Sequence, residues 1–304
     1  MNVSVLITNY NRHKLCDEAV SSVLAQNYKG VEIIIVDDGS DEANPNQSRY
    51  AKLGLKYISQ KNSGQAGALN VAFSNSLGEV ICLLDSDDLQ EASYISSIVD
   101  FFLREPECDV LYSAPIPIRH PISIANEADI LRRIRDLSPT GPVVGHSLIC
   151  LTKPYAWVGN PTSGISMRRA AAEQLFPLWA PTSWSLAADQ ILCQKIALKN
   201  LNVFRSNRLG FYYRIHSANG YFNPSSRIFY ESTRSAVLSE ARGRAGCIFT
   251  KKEIVQQFVN KRKSLGWINL FCGLINRVPQ LIFSGGGICE PTNWIKCRLI
   301  RSKG

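Results

Sequence analysis

Val80-Ile81-Cys82-Leu83-Leu84-Asp85-Ser86-Asp87-Asp88 is an apolar run that ends in three carboxylates within four positions. Its five apolar residues open on β-branched side chains. They are too few for a typical helix and suit a strand covered on both faces. Asp85 then stands at the mouth of a sheet. Three ionised carboxylates there repel one another, so either their pKa values rise or a divalent cation neutralises them. Asp85 and Asp87 project to the same side if the chain stays extended through Ser86. An oxygen-only donor set favours a hard ion, Mg²⁺ or Mn²⁺, of the kind that binds substrate phosphates at the same time. The competing reading is a solvated acidic turn, with Asp88 as the N-cap of a helix over Leu89 to Leu103.

The same grammar extends toward the N-terminus. Val3 to Thr8, Val31 to Val36 and Leu55 to Ser59 read as strands. Lys14 to Gln26 reads as a helix with Leu15, Ala19, Ser22 and Val23 at helical spacing, and Ala68 to Ser76 as another. Strand, helix, strand, repeated, implies a parallel sheet with right-handed crossovers. Ligands of such sheets gather at the carboxyl ends of the strands. Those ends are Thr8-Asn9-Tyr10-Asn11, Asp37-Asp38-Gly39-Ser40, Gln60-Lys61-Asn62-Ser63-Gly64 and Asp85-Ser86-Asp87-Asp88, all polar. Each alone passes for a turn; four together line one crevice. Gly64 and Gly67 mark a close backbone approach, or a helix whose N-terminus faces the ligand.

A length of 304 residues allows a large α/β core, and 45% apolar content is ordinary for a globular chain. Nine scattered cysteines, an odd number without paired spacing, argue for a reducing compartment and against a disulfide framework or a zinc site. Met1 to Asn9 lacks the charged-then-apolar pattern of a secretory signal. The net charge of +9 is unevenly spread. Residues 1–110 hold 8 Lys/Arg against 16 Asp/Glu, a balance of −8, and residues 111–304 hold 26 against 9, a balance of +17. An acidic half suits a metal, and a basic half suits phosphates or an anionic surface. No nucleic-acid motif and no interleaving of aromatics with basic residues is present, so nucleic acid is not the expected partner.

From Glu105 the pattern loosens. Pro115, Pro117, Pro121, Pro139 and Pro142 suggest loops and a less regular second region. Helices are expected near Arg168 to Leu175 and Leu186 to Lys199, and short strands at Asn202 to Arg205 and Gly210 to Ile215. Trp267, Leu270, Phe271, Leu274 and Ile275 fall at helical spacing beside Lys261-Arg262-Lys263, but Arg277, Pro279 and Gln280 make the stretch too interrupted for a transmembrane span.

Taken in order, the four strand-end motifs resemble those of the family-two inverting glycosyltransferases. Gly164-Ile165-Ser166-Met167-Arg168-Arg169, Ala188-Asp189-Gln190 and Tyr213-Arg214-Ile215-His216-Ser217-Ala218-Asn219 look like that family's acceptor-side motifs. The resemblance covers roughly residues 1–220. It implies a glycosyltransferase A-type fold, a Rossmann-like, mostly parallel sheet flanked by helices. Residues 1–110 would form the nucleotide-sugar-binding half, 111–230 the acceptor-binding half, and 231–304 a basic, mainly helical C-terminal extension. By the same resemblance Thr8, Tyr10 and Asp38, with Asp37 nearby, hold base and ribose. Asn62 and Gly64 lie on the nucleotide-sugar side, and Asp85 touches the sugar nucleotide. Asp87 and His216 bind the ion, Mn²⁺ or Mg²⁺, and a mixed carboxylate and imidazole shell tilts it toward Mn²⁺. Asp189 is the general base. Many relatives carry Glu-Asp there, and in this sequence Ala188 replaces the Glu. Trp184 offers an apolar face to a sugar ring or a side chain to the core.

The expectation is a metal-dependent inverting glycosyltransferase that takes a nucleotide-diphosphate sugar, UDP-sugar first, to a hydroxyl on a glycan or lipid-linked acceptor. The setting would be surface polysaccharide or glycan assembly. The expected location is cytoplasmic, with the C-terminal extension in peripheral contact with an anionic inner membrane face. Two alternatives are a polyprenyl-phosphate sugar transferase and a catalytically silent sugar-nucleotide-binding module.

Overall fold

The computed structural model describes residues 1–119, 141–143, 159–178 and 188–216. All of them belong to one unit, Met1–Ile248. The extension over residues 231–304, its helix around Trp267, Trp184 and most of the Pro121 to Pro161 stretch lie outside the described residues.

The strands are β1 (Val3–Asn9), β2 (Val31–Asp37), β3 (Lys56–Ser59), β4 (Val80–Asp85), β5 (Leu89–Gln90), β6 (Val110–Arg119), β7 (Gly141–Pro142), β8 (Ile165–Arg168) and β9 (Val203–Ile215). They make one sheet of order β3-β2-β1-β4-β8-β6-β9-β5, with β7 paired to β9. The helices are α1 (His13–Leu24), α2 (Gln47–Lys52), α3 (Gly64–Ser74), α4 (Tyr94–Arg104), α5 (Arg169–Leu175) and α6 (Ala188–Leu198).

Alternation along the strands sorts the apolar residues into two cores. Val3, Val5, Ile7, Ile33, Ile35, Val80, Cys82 and Leu84 pack on one face against Cys16, Ala19, Val20 and Val23 of α1 and Ile95, Ile98 and Phe102 of α4. Leu6, Ile34, Val36, Ile81 and Leu83 pack on the other against Ala68, Leu69 and Ala72 of α3 and Ile191, Leu192 and Ile196 of α6. Burial on both faces is why these strands read as nearly continuous apolar runs, interrupted by Ser4 in β1 and Glu32 in β2, since successive side chains must both leave water.

β1, β2, β3 and β4 are parallel, and their register brings the polar ends level: Thr8 lies opposite both Val36 and Asp85, Asn9 opposite Asp37, and Asp37 opposite Ser59. β8 pairs antiparallel with β4 and with β6, so β6 again runs parallel to β4, and β9 pairs parallel with β6. The start of β8 and the end of β9 therefore arrive at the edge where β4 ends.

The competing reading of the Asp88 turn and two sequence expectations are corrected here. Leu89–Gln90 does not open a helix. It forms β5, antiparallel to Phe211 and Tyr212 of β9, and the helix begins at Tyr94 with Ser93, not Asp88, at its cap position. Asp88 is thereby turned into the interior. Pro115 and Pro117 lie inside a strand, paired along β9 to Phe211 and Tyr213. A parallel ladder bonds alternate residues, so two prolines two apart can both occupy non-bonding positions. β8 covers β6 only at Val110–Tyr112. Finally, the two short strands expected at 202–205 and 210–215 are one strand. Its register shifts between Ser113 opposite Ser206 and Ala114 opposite Gly210, so the intervening residues form a bulge. Gly210 permits it, because a Cβ there would stand 2.3 Å from Ile116 Cδ1.

Candidate active site

The crevice is floored by the first turns after β1, β2, β3 and β4. Asp37 is buried and ties three strands together. Its Oδ2 accepts from Asn9 Nδ2 (3.1 Å) and the Tyr57 hydroxyl (2.8 Å), and its Oδ1 from the Ser40 backbone N–H (2.8 Å). Burial pushes this carboxyl up, but the donors from Ser40, Tyr57 and Asn9 bring it below the usual carboxylate range. Asp38 turns toward β3's end: its Oδ1 accepts from Gln60 Nε2 (2.7 Å) and the Ser63 N–H (2.9 Å). Gly39 makes that approach possible. It has φ +79°, and a Cβ there would sit 2.6 Å from the Asn62 nitrogen. Thr8 is buried at the end of β1, whereas Tyr10 is 47% exposed. Asn62 is exposed, and Gly64 is the first residue of α3.

At β4's end each of Asp85, Asp87 and Asp88 offers an oxygen such that the three atoms lie within 4.8 Å of one another. Their environments differ. Asp85 is pushed up to about 8 by burial, then by the charges of Asp87 and Asp189, against the pull of Arg12 and Gln65. Asp88 is raised well above the usual range by burial and by Asp87 and Asp85. For Asp87 burial acts upward too, but the His216 bond and the Arg12 charge hold it below the usual range. Its Oδ2 lies 3.0 Å from His216 Nε2 and 2.5 Å from Arg12 Nη1. Arg214, near the end of β9, donates its backbone N–H to Asp88 Oδ1 (2.9 Å) and its Nε to the Asp87 carbonyl (2.8 Å), while its Nη2 meets Glu18 Oε2 (2.7 Å). Asp88 Oδ2 is buried with no hydrogen-bond partner among the described residues. Three hard oxygen donors, two of them raised because negative charge is crowded and desolvated, and one with an unused buried oxygen, fit a divalent cation.

Asp189 lies in the first turn of α6, where the helix dipole favours a carboxylate. Burial nevertheless raises it to about 6, with backbone N–H donors at Gln190 and Asp189 acting the other way. Its Oδ1 accepts from the Gln190 N–H at 2.7 Å. The charge of Asp189 also acts on Asp85, which sets it near the β4-end cluster.

Three residues were not singled out by sequence reasoning. Arg12 was one residue past the quoted Thr8-Asn9-Tyr10-Asn11 end. Gln65 lay between the two glycines that drew attention: its Nε2 donates to Asp85 Oδ1 (2.6 Å), and its Oε1 accepts from the Ala188 N–H at the start of α6 (3.4 Å). Ser163, whose Oγ accepts from the Asp85 N–H (3.0 Å), precedes the acceptor-side motif and carries no signal of its own.

This sheet order with an acidic cluster at its carboxyl edge is the architecture of the glycosyltransferase A-type enzymes. S. aureus TarS 1-349 in complex with UDP-GlcNAc superposes with a TM-score of 0.60 at 20% identity, over 89% of this chain and 75% of that one. A mannosyltransferase of Pyrobaculum calidifontis in complex with GDP-Man and Mn²⁺ gives 0.53 at 15% identity, over 93% and 81%. The chain is a glycosyltransferase and belongs to glycosyl transferase family 2, whose pattern its residues 4–176 match. It is 32% identical over 267 residues to an uncharacterized glycosyltransferase of Nostoc sp., 86% of this chain and 75% of the relative. No helix among the described residues is long and apolar enough to cross a membrane.

Proposed function

We propose that the enzyme moves a monosaccharide, with inversion, from a nucleotide-diphosphate sugar to a hydroxyl acceptor in a divalent-metal-dependent reaction. The observation that carries this is the convergence at one sheet edge of a three-carboxylate cluster and a separate buried carboxylate, Asp189. A binding module has use for the first but not the second. Asp85, Asp87 and Asp88, with His216 at Asp87, would hold the cation, which supplies charge stabilisation for the departing diphosphate. Thr8, Tyr10, Asp38, Asn62 and Gly64 line the nucleotide side, and Asp37 braces it from below. Asp189 takes the acceptor hydroxyl's proton as that oxygen attacks the anomeric carbon from the face opposite the breaking bond to the diphosphate. A carboxyl held near 6 is ionised at neutral pH yet basic enough to share that proton in the transition state.

UDP is the favoured nucleotide. The likeness to TarS, seen with UDP-GlcNAc, supports it, and the likeness to the Mn²⁺-bearing mannosyltransferase supports Mn²⁺ as the ion. The acceptor is a glycan or lipid-linked hydroxyl in surface polysaccharide or glycan assembly. The setting is cytoplasmic, with peripheral contact to an anionic membrane through residues 231–304. Calorimetric titration with UDP, GDP and dTDP, each with and without Mn²⁺, tests the reading. Metal-dependent binding of UDP supports it; binding of none of the three by folded protein overturns it.

A further inference from the structure

We propose that Arg12 is a displaceable counter-cation: it occupies the Asp87 oxygen when the site holds no metal and passes to the donor's diphosphate when a divalent cation arrives. The inference rests on the metal-dependent reading above. Asp87 Oδ2 receives both Arg12 Nη1 (2.5 Å) and His216 Nε2 (3.0 Å). Two such donors engage both lone pairs of this oxygen, so a cation that takes Oδ2 displaces one of them.

Of the groups at this oxygen, Arg12 is the one built to leave. Its side chain is 35% exposed against 10% for Asp87 and 10% for His216. It stands at the cap position of α1, outside both cores. Asp87, in contrast, is fixed through its carbonyl by Arg214, which also grips Asp88 and is itself matched by Glu18. Exchange of one guanidinium for a divalent ion also raises the positive charge among three crowded carboxylates. The released fork then stands at the end of β1, the edge where a diphosphate would enter, and guanidinium pairs with phosphate oxygens bidentately. Metal and nucleotide binding would be coupled through Arg12, and such coupling is reciprocal.

The test is Mn²⁺ binding to the full chain, followed by the EPR signal of free Mn²⁺, with and without UDP, in the parent protein, Arg12→Met and Arg12→Lys. Circular dichroism confirms that each is folded. Without nucleotide, Arg12→Met is expected to bind Mn²⁺ on the order of tenfold more tightly than the parent. UDP should then strengthen Mn²⁺ binding less in the variant, because the residue linking the two ligands is gone. Arg12→Lys, which keeps the charge, should stay closer to the parent in nucleotide-free affinity. Equal or weaker Mn²⁺ binding by Arg12→Met overturns the role of Arg12 and leaves metal dependence standing. Absence of Mn²⁺ binding by the parent, with or without UDP, overturns metal dependence and this inference with it.

Discussion

The two halves of the sheet build the site in different ways. In the β1–β4 half every site residue follows its own strand within a few positions, and the strands are parallel neighbours whose ends are level. In the β6, β8, β9 half nothing is local. His216 meets Asp87 across 129 residues and Ala188 meets Gln65 across 123. The first half supplies negative charge at an edge, and the second supplies part of what balances it, through Arg214 and His216. A half assembled from strand-end turns and a half assembled by sheet order should therefore respond differently to mutation.

The sharpest separation comes from Asp189. Asp189→Asn is expected to lower kcat by roughly 10²- to 10⁴-fold, the usual contribution of a general base, while Mn²⁺-dependent UDP binding stays as it was. Because burial raises this carboxyl to about 6, the basic form is populated only above that pH. The parent enzyme's kcat should thus fall about tenfold per pH unit below 6, as read from a pH–rate profile. Loss of UDP binding in Asp189→Asn would erase the distinction between the halves.

Gln65 joins them, so its loss should affect both. Removing the amide in Gln65→Leu leaves Asp85 Oδ1 without its donor and the first N–H of α6 without its acceptor. A drop in kcat of about tenfold is expected from the misplacement, with a smaller rise in the donor KM. Gln65→Glu restores size but not the donated bond, and should not rescue. A variant with unchanged kcat would show that the start of α6 is held from elsewhere.

The smallest effect is on stability. Asp85 titrates at about 8 in the folded protein against an ordinary value of 3.8. Between those values the folded state holds the extra proton, so its stability falls as pH rises through that window. Asp85→Asn removes the penalty. At pH 8 the metal-free variant should be more stable than the parent by about 1–2 kcal/mol, a typical trade of function for stability, with little difference near pH 4. Urea midpoints at the two pH values measure it. A variant less stable than the parent at pH 8 would mean that Asp85 is not a strained carboxylate.

How far the sequence could be read follows the same division. The apolar runs of β1, β2 and β4 are legible because a strand buried on both faces is apolar at most positions, and their polar ends are legible by contrast. The Asp85–Asp88 turn was read correctly as a cluster. Its continuation is not legible locally, because Leu89 and Gln90 pair with Phe211 and Tyr212, residues over a hundred positions away. Pro115 and Pro117 argued for loops on local grounds, and the β9 ladder tolerated them. Arg12 and Gln65 gave no local signal: each matters through a carboxylate it reaches only after folding.

The sequence by itself determined the order of β1 to β4 with α1 and α3 between them, though not α2, and the identity of the carboxylates, because periodicity and strand-end polarity are properties of neighbours along the chain. The tertiary structure alone decided in which direction each of those carboxylates is shifted. Asp87 is held ionised by Arg12 and His216, while Asp85, Asp88 and Asp189 are raised by burial. Desolvation and ion pairing depend on what the folded sheet brings within a few ångströms, and no spacing in the sequence encodes that.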